Sequence, residues 1–372
     1  MNSLKYFILI SIIAPLAITF QSASALELEE KSRLSVNETS PAIPTRNALM
    51  SPAPTLIKIY DPQQRAVFSE RIRQNQRLVY SNRGEHFAIL KYNDHSPTTF
   101  SLLEIKVCNL DGKVEWTLKK PNGSSVILAD GVPAAAVLDG AEGLSLSHIR
   151  LHGVDGSENA VIPVTHLFGI DFSGDGRVLF INSADSGLTA YDSDGQELYD
   201  YGPCRRFGVS GSGSIVVTES NQTLSLFSNG VRIKSDRYDF DNYGALKEIV
   251  VSDSLGRVFV LYRRAVVAYT LPTFEREWTF HEIPDGSTLT SIDVSDDGFI
   301  AYGFDIPEMK EGYKVHEKGG FGILNISGVS LAAKEMTYSS WARSFPMVRF
   351  TLSGDGLQVA ARSEVCYYSI IR

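Results

Sequence analysis

Cysteine is scarce in this chain. Three residues, Cys108, Cys204 and Cys366, serve 372. That excludes the disulfide frameworks that staple small secreted domains, and leaves room for one bridge at most. Histidine is also sparse, with 7 residues, and none has the spacing of a metal centre. His148 and His152 stand four apart, which on a strand separates them by about 13 Å. Basic runs are missing, and the formal net charge is −8. Such a surface repels a phosphate backbone, so nucleic acid is not an expected partner. No segment of twelve or more residues has a convincing helical apolar period. After the first twenty residues, no apolar run is long enough to cross a bilayer.

Catalytic signatures are missing as well. There is no G-x-S-x-G elbow. Ser210-Gly211-Ser212-Gly213-Ser214 is glycine-rich, but no helix follows it to make a phosphate cradle. The Asp-Gly pairs lack the close succession of carboxylates that calcium needs. Asp236, Asp239 and Asp241 are the densest acidic group, and a solvated loop explains them. No metal or cofactor is called for, and no catalytic residue stands out.

The N-terminus reads as an export signal. Lys5 is the basic head, residues 6–20 are apolar, and Ala23-Ser24-Ala25 is a small-residue cleavage site. Cleavage there places the chain in the periplasm or the extracellular space, and leaves no transmembrane segment. Residues 26–54 are polar and contain Pro41, Pro44, Pro52 and Pro54. They read as a flexible leader.

A degenerate repeat fills the rest. An alternating apolar segment ends in Ser, a short Asp/Gly turn follows, and a second apolar segment begins. Strong copies are Ile170-Asp171-Phe172-Ser173-Gly174-Asp175-Gly176 and Ile292-Asp293-Val294-Ser295-Asp296-Asp297-Gly298. Markers at Ser81, Ala129, Ser173, Ser210, Ser252, Ser295 and Ser353 are spaced by 48, 44, 37, 42, 43 and 58 residues. Each copy continues into a second hairpin with Asp111-Gly112, Asp194-Gly195 or Asn229-Gly230 at its turn, residues that tolerate positive φ. Four short antiparallel strands per repeat of about 43 residues specify an all-β fold. The architecture is a β-propeller of about seven blades over residues 55–372. Residues 77–372 hold the repeats, and the last copy lacks its outermost strand. The segment 55–76, with Leu56-Ile57-Lys58-Ile59-Tyr60, is expected to supply that strand and close the ring. Cys108 and Cys366 fall on equivalent strands of the first and last repeats. Burial as small hydrophobes is the simpler expectation for them.

The segments Phe172-Ser173-Gly174-Asp175-Gly176-Arg177 and Val294-Ser295-Asp296-Asp297-Gly298 resemble the signature of WD-repeat-like propellers. Strands ending in Trp116 and Trp278 look similar to those of quinoprotein-like propellers. No blade carries the Trp-Asp dipeptide. The resemblance implies the propeller fold, which hosts scaffolds, hydrolases, lyases and dehydrogenases alike.

One loop face is the expected working surface. The longest repeat gains its extra residues at 305–320, including Tyr313 and His316. Tyr338, Trp341, Arg343 and Phe345 follow in an inter-blade loop, and Tyr238 and Tyr243 lie in another. Tyr, Trp and Arg are the residues that dominate binding hot spots. The expected function is a non-enzymatic scaffold that binds a protein or a glycan through these eight residues. The alternative is a hydrolase or lyase acting in the central channel, where side chains from several blades would converge.

Overall fold

A computed structural model describes residues 26–35, 43–44, 49–53, 56–60, 66–71, 73, 75–81, 85–93, 102–139, 148–310, 313–337, 347–350, 356–361 and 364–371. They build eight four-stranded antiparallel sheets, numbered here as blades in chain order. Blades 1 to 7 occupy residues 43–70, 76–119, 125–163, 167–202, 206–237, 246–280 and 288–337. Blade 8 takes Met347–Phe350, Gly356–Ala361 and Glu364–Ile371, and its fourth strand is Glu27–Ser35. The molecule is a β-propeller. Its only described helix is one turn, Phe240–Tyr243.

The sheets number eight, in line with the expected ring of about seven blades. One expectation is corrected here. Residues 55–76 do not complete the last blade. Leu56–Tyr60 and Ala66–Glu70 pair with each other as the outer half of blade 1. The strand that joins blade 8 comes from residues 27–35, within the stretch read as a leader. Outer strands face solvent on much of their surface, as the exposure of Val231–Arg237 shows. A polar sequence such as Glu27-Leu28-Glu29-Glu30-Lys31 therefore serves as an outer strand without any apolar run. Pro44 and Pro52 sit inside the first two strands of blade 1, which hid these strands from composition. Blade 1 also places a sheet between the blades of Cys108 and Cys366. Both thiols are buried.

Burial follows the propeller geometry. Middle strands are covered on both faces by neighbouring blades, so they read as continuous apolar runs. In blade 6, Val258, Phe259, Val260, Leu261 and Tyr262 are all fully buried. The repeat's marker serine has a structural task. Ser173 and Ser295 are buried, and each hydroxyl accepts the backbone N–H that opens the second strand, from Val178 at 3.0 Å and Phe299 at 2.9 Å. Each also donates to the turn aspartate, Asp175 or Asp297, at 2.6 Å.

The second hairpin's glycine is set by the neighbouring blade as well as by φ. Phe68, Trp116, Tyr199 and Trp278, all on fourth strands, have rings where a Cβ would stand on Gly112, Gly156, Gly230 and Gly328 of the next blade. Those glycines have φ between +78° and +80°. Trp278 adds a bond from its indole N–H to the Ile326 carbonyl at 2.8 Å. The two tryptophans thus bolt blade to blade.

Candidate functional site

The first strand of each blade faces the axis. A cavity of 630 Å³ is lined by the first strands of blades 4 to 8, their turns and the first turn of blade 3. Sheet edges facing an axis leave backbone carbonyls without a ladder partner, and buried carbonyls require donors. Cationic side chains supply them here. Arg206 donates to the Lys247 carbonyl at 3.0 Å. The Lys247 ammonium donates to the Leu289 carbonyl. Arg349 donates to the Ile292 carbonyl at 2.9 Å. Asp293 closes the same seam by accepting the Phe350 N–H at 2.8 Å. Gly208 permits the close approach of blades 5 and 6, since a Cβ there would stand 2.6 Å from the Ile249 carbonyl oxygen.

The cavity is electrically polar along its length. First strands all run in the same direction, so their opening residues share one end. That end holds Arg205, Arg206 and Lys247, with Phe168 68% exposed beside them. Burial, followed by the charge of Arg263, pulls the Lys247 ammonium below its ordinary range, and Asp305 opposes this. The turns after the first strands carry Asp130, Asp253 and Asp296 at the opposite end. Between the ends stand Glu248, Asp293 and Arg349. Burial raises the Glu248 carboxyl above its usual range, Arg349 opposes that and Asp293 adds to it. Tyr80 is also raised by burial and opposed by Arg349.

The residues expected to bind a partner divide into three groups. Tyr238 and Tyr243 are core residues, 5% and 7% exposed. Their rings pack on Tyr262 at 4.8 and 5.2 Å, so neither presents a ring to a partner. The corrected reading is that aromatic residues in an inter-blade loop cap the blade core. Asp239 caps the short helix by accepting the Asn242 N–H, and Asp236 pairs with Arg276 at 2.9 Å, which accounts for that acidic group. Tyr313 lies on the strand Tyr313–Leu324 opposite Lys310, and His316 opposite Pro307. Tyr338, Trp341, Arg343 and Phe345 lie outside the described residues.

The lengthened repeat is a β-hairpin. Ile300–Lys310 pairs with Tyr313–Leu324 along its whole length. The flanking strands stop earlier, at the pairs Thr288↔Asp305 and Lys318↔Thr337. Residues 306–310 and 313–317 thus form a two-stranded ribbon beyond the sheet, about 15 Å long from strand rise. Lys318 and Glu308 form an ion pair at 2.7 Å at its base. Sequence reasoning located this insertion by its length but missed the axial charges, because alternation along a strand does not reveal which blades share an axis. Among the described residues, no three His, Cys, Asp or Glu side chains are grouped to hold a metal. None of the described helices is long and apolar enough to cross a membrane.

Fold and cavity together define a β-propeller with a polar axial channel. Solved structures agree on that fold. The chain is similar to BamB from Moraxella catarrhalis, with TM-score 0.54, 14% identity, and coverage of 92% of this chain and 100% of that one. It is also similar to the C-terminal WD40 domain of Sif2, with TM-score 0.60, 12% identity, and coverage of 93% and 99%. No family model matches the chain. No curated protein matches it either.

Proposed function

We propose that this chain is an exported, non-enzymatic propeller that binds a protein or glycan partner through the loop face carrying the blade 7 hairpin. The observation that carries this reading is the ribbon of residues 306–310 and 313–317, which extends past both flanking strands. A ribbon that runs beyond its sheet costs conformational entropy, and an isolated pair of strands is barely stable in water. A contact outside the chain is a reason to keep it. Export rests on Lys5, the apolar run and Ala23-Ser24-Ala25. Cleavage after Ala25 leaves Glu27–Ser35 whole for blade 8.

The test is crosslinking capture from the native envelope fraction. Three forms are compared: wild type, Trp341→Ala/Arg343→Ala, and a shortened chain in which Asn-Gly joins Ile306 to Lys318. Capture by wild type and loss in both folded variants is the expected result. Equal capture by all three defeats the reading. Mass spectrometry of the exported form checks for Leu26 at its N-terminus.

A second reading has one specific observation behind it. Glu248, Asp293 and Arg349 converge from three blades, and a carboxyl whose pKa burial raises is suited to act as a general acid. A screen of glycoside, ester and polyuronate substrates tests it. An activity abolished by Glu248→Gln would establish a hydrolase or lyase in the channel.

A further inference from the structure

The charge at the channel end of Phe168 is not balanced by its surroundings. Arg205, Arg206 and Lys247 line the cavity, and Arg263 lies close enough to depress the Lys247 ammonium. The bonds of Arg206 and Lys247 go to backbone carbonyls, which carry no net charge. Arg205 and Arg263 are exposed, and neither side chain has a hydrogen bond or ion pair to any described residue. The carboxylates at this end are Glu219 and Asp305, both buried, while Asp171, Glu248 and Asp293 line the cavity further along the first strands. Glu219 is occupied by the Gln222 N–H at 3.1 Å and the Tyr238 hydroxyl at 3.3 Å. Four cations against two buried carboxylates, on a chain of net charge −8, make a local positive potential inside a low-dielectric wall.

Two further features point into the same space. Phe168 lies on a first strand and is 68% exposed, an unusual state for phenylalanine. Asn182 also lines the cavity and is 2% exposed. Its amide nitrogen donates to the Cys204 carbonyl at 3.0 Å, whereas its Oδ1 has no partner. A buried acceptor left unmet is costly, and a ligand donor would satisfy it. The cavity volume of 630 Å³ falls in the range of small-molecule sites, about 300–1,000 Å³.

We propose that this end of the channel is a binding site for a small organic anion. Its carboxylate or phosphate is held by Arg205, Arg206 and Lys247, with Arg263 reinforcing the field. Its apolar part lies on Phe168, and a hydroxyl or N–H donates to Asn182 Oδ1. No residue of the ribbon lines this cavity, so either reading can fail without the other.

The experiment is isothermal titration of the processed full chain at low ionic strength. The probes are inorganic phosphate, phenyl phosphate and phenylacetate, with benzylamine as a cation of matching size. Saturable binding of at least one phenyl anion and none of benzylamine is expected. The relative affinities of phenyl phosphate and phenylacetate distinguish a phosphate from a carboxylate ligand. Arg205→Glu/Arg263→Glu should weaken binding tenfold or more, and Asp253→Asn at the far end should leave it unchanged. Phe168→Ala should weaken the phenyl probes and spare inorganic phosphate. Circular dichroism confirms that each variant is folded, and all four substitutions are at exposed positions. Absence of saturable anion binding, or unchanged affinity in the charge-reversed pair, overturns the proposal.

Discussion

Blades 6 and 7 are neighbours built to one plan, yet their middle strands differ twofold in length. Blade 6 uses Arg257–Tyr262 and Val266–Thr270, six and five residues. Blade 7 uses eleven and twelve. Blade 6 is saturated with buried aliphatic and aromatic side chains, and its strands end where burial ends. Blade 7 continues after its flanking strands have stopped. It also carries Gly319, Gly320 and Gly322 in a middle strand, where glycine normally weakens a sheet. Cross-strand aromatics explain two of them. Tyr302 pairs with Gly322 and Phe304 with Gly320, and a Cβ at Gly322 or Gly320 would fall on those rings. The rings lie across the glycines and restore the buried surface that the missing side chains give up. The contrast separates strand that makes core from strand that reaches outward.

Substitutions can break that contrast, and the largest effect belongs to blade 6. Phe259 is fully buried, and its ring lies 6.1 Å from that of Trp278. Phe259→Ala should cost about 3–5 kcal/mol in chemical denaturation. A loss below about 1 kcal/mol would mean that this blade is not close-packed. Gly322→Ala should cost about 1–3 kcal/mol, because Tyr302 must leave its rotamer. Tyr302→Ala in the same background should remove most of that penalty, a coupling that a double-mutant cycle measures. Replacing 307–317 by Asn-Gly should change stability by less than about 1 kcal/mol, since the ribbon lies outside the sheet. A larger loss would make the hairpin part of the fold.

The smallest effect is electrostatic. Arg257 grips Glu277 on blade 6 with bonds of 2.6 and 2.8 Å, and this holds the Glu277 carboxyl below its usual range. Glu277→Gln should cost about 0.5 kcal/mol at neutral pH. A carboxyl depressed in the folded state stabilises above its unfolded pKa, and that contribution fades as pH falls through the lowered folded value. The difference between wild type and variant should therefore vanish in acid. A difference that persists there would assign it to packing.

Much of this fold is legible along the chain, and the reasons are local. Ser173 and Ser295 recur because one hydroxyl completes the first turn of a blade. Asp111-Gly112, Asp194-Gly195 and Asn229-Gly230 recur because the second turn needs positive φ and a bare Cα under the preceding blade's side chain. The first two strands of blade 1 and the strand Glu27–Ser35 were not legible, since short or outer strands need little apolar character. Of the expected binding residues, Tyr238 and Tyr243 show how one composition serves two ends. An aromatic loop at a blade's end caps the core as readily as it offers a contact.

By itself the sequence determined the repeat, its turns and its four-strand unit, because hydrogen bonding and φ preferences act over a few residues. Only the tertiary structure decided which strands share an axis. Arg206, Lys247, Glu248, Asp293 and Arg349 are dispersed over some 140 positions, and nothing local marks them as one site. They meet because each blade presents its first strand inward, and an inward edge needs donors for its carbonyls. The charge of the channel follows from how that need was met.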